Sequence, residues 1–189
     1  HPSLWHPRLY DAVVWGKRQV RTASQWTDGR SYASTHVAEP LAFRVFKHSS
    51  KLLRRTPGVD LSLQLGKVQN LAIAVPLVDG LVLAPGETFS FCRVIGRPTR
   101  ARGFVDGMQL SRGEARAGVG GGLCQLANLL HWMALHSPLV VTERHHHSFD
   151  PFPDDGRVLP FGSGATIFFN YGDLQLHNPT NETFQVRAW

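Results

Sequence analysis

Cysteine is scarce in this chain. Cys92 and Cys124 are the only two among 189 residues, too few for the disulfide framework of a small secreted scaffold. A bridge between them would consume the thiol best placed for chemistry, so both are read as free. Long hydrophobic runs are missing too: no stretch reaches the roughly 20 apolar residues needed to span a bilayer as a helix. Charged residues are few, 18% against 42% hydrophobic, which excludes a disordered polyelectrolyte and requires a folded core. Acids are the scarcer sign, 14 against 20 basic residues, giving a net charge of +6 and a pI near 9.9. The basic residues gather between Arg18 and Arg30, between Lys47 and Arg55, and at Arg93, Arg97, Arg100 and Arg102. Such a surface attracts anionic polymers or lipid. No nucleic-acid-binding module accompanies it, so no nucleic-acid partner is expected. The glycines of 118–122 lack the Lys-Ser/Thr pair of a phosphate loop and do not match a dinucleotide fingerprint, so neither nucleotide nor any other cofactor is expected.

What is present organises as follows. Residues 1 to about 38 read as irregular, packing through Trp5, Trp15 and Trp26. Glu39–Arg55 reads as an amphipathic helix started by Pro40 and stopped by Thr56-Pro57-Gly58. A second helix is expected over Val59–Val78, then short strands at Leu81–Leu83 and Thr88–Phe91. Arg97–Gly118 reads as turns with a short helix near Val105–Leu110. A helix follows Cys124 and stops at Ser137-Pro138. Strands are expected at Leu139–Thr142, Thr166–Phe169, Leu174–Leu176 and Phe184–Arg187, with a loop at Asp150–Gly164. The class is α+β: N-terminal helices, a central cysteine-bearing helix, and an antiparallel sheet built mainly from the C-terminal half. Residues 1–66 form an extension and 67–189 the main domain. The chain starts at His1, so a segment is expected to have been cut from the N-terminus. The protein belongs in the cell envelope if that segment was an export signal and in the cytoplasm otherwise. Nothing in the sequence sets an oligomeric state.

The chemistry concentrates at Gly120-Gly121-Gly122-Leu123-Cys124-Gln125. A thiol on the first turn of a helix feels the positive end of the helix dipole and unpaired N–H groups, which predicts a lowered pKa. The glycines permit close approach of a substrate. The N–H groups of Leu123 to Gln125, presented by Gly121 and Gly122, are expected to hold an oxyanion. A base is supplied by Arg144-His145-His146-His147-Ser148: on a continuing strand His145 and His147 share one side. Asn128 lies one turn beyond Cys124, close enough to orient a group near the thiol, but ordinary helix packing is the favoured reading for it and for His131. His131 lies two turns away, too far for direct proton transfer. Cys124, His145 and His147 offer three ligands to zinc, but no fourth ligand stands at a familiar spacing, and no metal is assigned.

These residues resemble the VanW family. The resemblance runs from about Gln69 to Leu176 and rests on several segments in order. They are Asn70-Leu71, the run Gly80 to Phe91, Gly120 to Gln125, Glu143 to Ser148, and Asp173-Leu174. The region after the cysteine is similar to the compact members found beside vancomycin-resistance genes. Three positions depart from the family's usual pattern: Cys92 where Asn is frequent, Gly164 where Asp is frequent, and His146 where Pro is frequent. The resemblance implies bacterial cell-wall biology and L,D-transpeptidase chemistry, with Cys124 as nucleophile and Arg144, His145, His147 and Ser148 as the matching basic motif.

The expected function is therefore a cysteine acyltransferase on peptidoglycan stem peptides. Cys124 is the nucleophile, His147 the first choice of base and His145 the second, with Arg144 and Ser148 binding substrate. Two other readings stay open: a non-catalytic module recognising wall precursors, and a cysteine peptidase or amidase using the same residues with a different acceptor.

Overall fold

The computed structural model describes residues 7–53, 60–111, 114–146 and 164–189. Its centre is two apolar helices. α2 (Leu61–Val78) starts where the Asp60 carboxylate accepts the Ser62 N–H, the N-cap arrangement that satisfies an otherwise unpaired helix donor. By length and composition alone α2 could cross a membrane. Here Leu71, Ala74 and Val78 pack into the core, and Gln64, Lys67 and Asn70 are buried beside them. α4 (Leu123–Leu135) packs on α2 and contributes Leu123, Leu126, Ala127, Leu130 and Ala134 to the same core. Both helices stand where the apolar runs predict them.

Around this pair lie three small antiparallel sheets. β2 (Thr88–Ser90), β6 (Gln175–His177) and β5 (Val140–Glu143) form one, in the order β2-β6-β5. β1 (Val82–Leu83) pairs with β7 (Phe184–Gln185). β3 (Asp106–Ser111) and β4 (Glu114–Val119) form a hairpin against α2. Antiparallel sheet and helices together make the α+β class. The sheet is not, however, a product of the C-terminal half alone. β1 and β2 each take a C-terminal strand as partner, which closes the chain on itself. A five-residue helix, α3 (Phe91–Ile95), follows β2 directly.

Several expectations about local structure fail. The Arg97–Gly118 region carries the β3–β4 hairpin instead of a short helix. Its glycines fit because Gly107 and Gly118 face crowded neighbours: a Cβ on Gly107 would lie 2.4 Å from the Gly121 carbonyl oxygen. Thr166–Phe169 is not a strand; it makes one bridge, Phe168 to Gly172, around a turn. Residues 7–27, read as irregular, form a helix, α1. Of the expected helix Glu39–Arg55, residues 39–53 are irregular, with bends and no helix; residues 54 and 55 lie outside the described residues. In both cases the apolar pattern misleads. α1 leaves Trp15 and Val20 in solvent and docks through polar groups. In the irregular segment Leu41 and Val45, the supposed buried stripe, are exposed.

The docking of α1 rests on Arg21. Its guanidinium holds the Glu143 carboxylate through both Nη atoms, one at 2.8 Å. It also lies 3.8 Å from Asp173, a fully buried carboxylate. Asn170 donates to the Arg18 carbonyl and to Thr22 Oγ1. Burial pushes the Glu143 carboxyl up, but the Arg21 and His145 hydrogen bonds, the Arg21 charge and the Asp173 N–H outweigh it and hold it below the usual range. A depressed carboxylate contributes stability above its unfolded pKa and loses it as pH falls through the folded value. Arg21→Ala should therefore lower stability at neutral pH by about 2 kcal/mol. In urea titrations the gap from wild type should begin to narrow as the pH falls past the ordinary glutamate value of about 4.3 and close as it passes through the lower folded value.

Candidate functional site

The glycine turn before Cys124 is built into the core. Gly122, at φ +94, is the N-cap of α4 in the left-handed region, where glycine carries no Cβ penalty. Gly121 has no room for a side chain: a Cβ would sit 2.1 Å from the Gly107 backbone. The fully buried Asn70 fixes the turn from α2. Its amide donates to the Gly121 carbonyl at 2.9 Å and the Val105 carbonyl at 3.0 Å, and its oxygen accepts the Val105 N–H at 2.9 Å. The glycines thus admit close approach, but of the protein's own backbone and of the Lys67 stem, which lies 2.1 Å from where a Gly122 Cβ would be.

The expected oxyanion donors are largely taken up by this packing. The Gln125 N–H donates to the Gly122 carbonyl at 3.0 Å, and the Leu123 N–H points to the Gly120 carbonyl at 3.5 Å. The Gln125 side chain turns the other way, donating to Ser50 Oγ and the Lys51 carbonyl. The donors acting on the Cys124 sulfur are its own N–H and that of Ile167.

Ile167 belongs to a segment held between α4 and the end of β5. Asn128 Oδ1 accepts the Ala165 N–H at 2.6 Å, which ties α4 to this segment. The Thr166 N–H donates to the His145 carbonyl at 2.8 Å. Arg144 donates to the Gly164 carbonyl at 3.3 Å, so at least one of its donors serves the fold. Gly164 lies against Asn128, where a Cβ would be 2.9 Å from Oδ1; no longer side chain fits there without displacing that amide. His131, two turns into α4, is buried.

Cys124 is half-buried and unbridged. Burial pushes its thiol up, and the N–H groups of Ile167 and Cys124 only partly offset that. This corrects the expectation of an acidic thiol. The dipole of α4 acts on a sulfur that water does not reach well, and desolvation disfavours the charged form more than the helix end favours it. Alkylation of Cys124 followed against pH should give an apparent pKa above the free-cysteine value of about 8.5. Cys92 is buried deeper and also pushed up, by desolvation and by Asp173. It should stay unlabelled across the same range.

The histidines do not converge as a strand would place them. β5 ends at Glu143, so 144–146 are not strand. Glu143 and His145 still share a side, and His145 Nε2 lies 3.0 Å from Glu143 Oε1 with its ring against Gly172. His145 therefore joins the Arg21–Glu143 cluster and not the thiol. His147 and Ser148, with most of the Asp150–Gly164 loop, lie outside the described residues.

Sequence reasoning missed the cluster around Asp173. This buried carboxylate accepts from Ser90 Oγ at 2.6 Å, the Cys92 N–H at 2.8 Å and the Leu174 N–H at 2.9 Å, and it faces Arg21. Asp173-Leu174 and Asn70-Leu71 were both segments of the family resemblance, but neither pattern showed which backbone groups these buried side chains would hold.

An α+β domain in which a core-packed glycine turn presents a half-buried cysteine on the first turn of a helix is the class defined here. The VanW-like protein family model matches residues 66–189, and the chain belongs to that family. It is 35% identical over 159 residues to the vancomycin B-type resistance protein VanW of Enterococcus faecalis, covering 84% of this chain and 58% of that protein. It is 31% identical over 122 residues to the uncharacterized protein YoaR of Bacillus subtilis, covering 63% of this chain and 38% of that one. The chain thus spans under two thirds of the length of either relative. No solved structure matches it.

Proposed function

We propose that this protein is a peptidoglycan L,D-transpeptidase-like cysteine acyltransferase that forms 3→3 cross-links in the setting of glycopeptide resistance. The observation that carries the reading is the position of Cys124 between a rigid glycine turn and the Ile167 N–H. A nucleophile there is fixed, and a donor outside the glycine turn lies at hand for developing negative charge. Because burial keeps the thiol protonated, a base must remove the proton as attack occurs. His147 is the candidate, since His145 is engaged by Glu143.

In the acylation step Cys124 Sγ attacks the carbonyl carbon of the third stem residue. Its proton passes to the histidine, then to the nitrogen of the terminal D-Ala, which leaves as the free amino acid. A thioester remains. The side-chain amine of a neighbouring stem attacks that thioester and gives up a proton. An amide forms, and the thiol is restored. Water in place of the amine gives a tripeptide stem. Ser148 and Arg144 are the candidates for the substrate carboxylate. The test is mass spectrometry of muropeptides after incubation with the protein: 3→3 dimers and free D-Ala are expected, and unchanged muropeptides would overturn the reading.

One observation favours a second reading, a non-catalytic module that binds wall precursors: the raised thiol pKa, which a binding module tolerates and a nucleophile must overcome. Stem-peptide binding with no release of D-Ala would select it.

A further inference from the structure

Residues 46–51 lie as a strap along one face of α4. Gln125, Trp132 and His136 share that face, being seven and four residues apart. The strap runs antiparallel to the helix. The Phe46 ring stacks on His136 at 4.1 Å and 7°. His48 meets Trp132 edge-on at 6.4 Å. Ser50 Oγ and the Lys51 carbonyl each accept from Gln125 Nε2 at 3.0 Å. The lengths agree: five extended residues and eleven helical ones both cover about 17 Å. The strap therefore follows the helix down to the residue beside Cys124.

Beyond these contacts Lys47 Nζ lies 5.1 Å from the centre of the exposed Trp189 ring. No residue from 42 to 51 makes a backbone–backbone hydrogen bond to another described residue. Phe43 and Val45, just ahead of it, are 91% and 56% exposed. A segment with few backbone bonds and exposed apolar side chains opens at low free energy. What it occupies is nonetheless a peptide-shaped site: an aromatic platform at one end, and at the other the amide of Gln125, next in sequence to Cys124, which binds a main-chain carbonyl.

We propose that residues 46–51 are a displaceable internal ligand that covers the α4 face leading to Cys124, and that an extended peptide of the substrate takes their place. The incoming peptide sets a backbone carbonyl on the Gln125 amide and an apolar or planar group on Trp132 and His136. That this peptide is a wall stem rests on the acyl-transfer reading above; the displacement of the strap does not.

The test uses Cys124 alkylation at neutral pH, with Cys92 as internal control, and tryptic cleavage after Lys47 and Lys51. Phe46→Ala removes the stack. Both Cys124 labelling and strap cleavage should rise by about tenfold, with Cys92 still protected. In the wild type, a saturating synthetic stem tetrapeptide (L-Ala-γ-D-Glu-L-Lys-D-Ala) should speed strap cleavage. Faster cleavage with unchanged Cys124 labelling in Phe46→Ala overturns the covering role. Strap cleavage that saturating peptide leaves unchanged overturns the replacement. If Cys92 labels as well, the variant has unfolded, and Phe46→Leu, which keeps the apolar volume and loses the stack, gives the same comparison. Increased labelling together with absent cross-linking would keep the strap and remove the acyl-transfer reading.

Discussion

Cys124→Ala should abolish cross-link formation, lowering turnover by at least about four orders of magnitude. Removing the nucleophile of a covalent mechanism leaves only binding and the surrounding dipoles, and those do not open an amide on their own. The fold should survive, because Cys124 is half-buried and unbridged and alanine is a strong helix former. The parallel variant Cys92→Ala should keep its activity. Cys92 is 5% exposed, and its link to the Asp173 cluster runs through its backbone N–H, which alanine retains. Muropeptide turnover by the two variants, with folding checked by circular dichroism, separates a chemical role from a structural one. Equal activity in Cys124→Ala and the wild type would remove the cysteine from the mechanism.

Asn70→Ala should produce the largest loss of stability of any single exchange near the site. The side chain is fully buried and answers three backbone groups: the carbonyls of Val105 and Gly121 and the N–H of Val105. Alanine takes the Asn70 partner from the Gly121 carbonyl and the Val105 N–H, at a cost of about 1–3 kcal/mol each, while the Val105 carbonyl keeps the Gly120 N–H. Such terms are not additive within one network, and about 4 kcal/mol in total is expected. That is a large share of the roughly 5–15 kcal/mol that holds a domain folded. Urea denaturation reads the loss directly. Asn70→Asp keeps the acceptor for Val105 N–H but sets a carboxylate against two carbonyls, so it should rescue little. A loss below about 1 kcal/mol in either variant would mean that the glycine turn does not depend on α2.

How much of this was legible in the sequence follows from what each element uses to hold itself in place. α2 and α4 are held by apolar packing and bounded by Asp, Gly, Ser and Pro, so their patterns were readable. α1 is held by Arg21 on Glu143 and by Asn170 on Arg18 and Thr22. Its Leu9, Val13 and Val20 recur on one face but stay exposed, so the pattern does not report an anchor made of polar pairs to residues more than a hundred positions away. The strap fails in the opposite sense. Its apolar residues recur at helical spacing, yet Phe46 stacks on a histidine and Val45 meets solvent. Periodicity reports a face, not whether a core exists to receive it. At the site, the place of Cys124 on the first turn of α4 was readable from spacing; the bond from the Ala165 N–H to Asn128 was not. The thiol's raised pKa was not, because it depends on how closely residues 164–167 cover the sulfur. Nor was the engagement of His145 by Glu143, which follows from the arrival of Arg21 and the turn at Gly172.

The most direct measurement is the intact mass of the protein after brief exposure to the stem tetrapeptide without an acceptor amine. Acyl transfer through Cys124 requires a mass increase equal to the tetrapeptide less D-Ala, located on Cys124 by peptide mapping, released by hydroxylamine and absent from Cys124→Ala. A protein whose Cys124 accepts alkylating reagent, yet whose mass stays unchanged in the presence of saturating tetrapeptide, would contradict the acyltransferase reading and leave a wall-precursor binding module in its place.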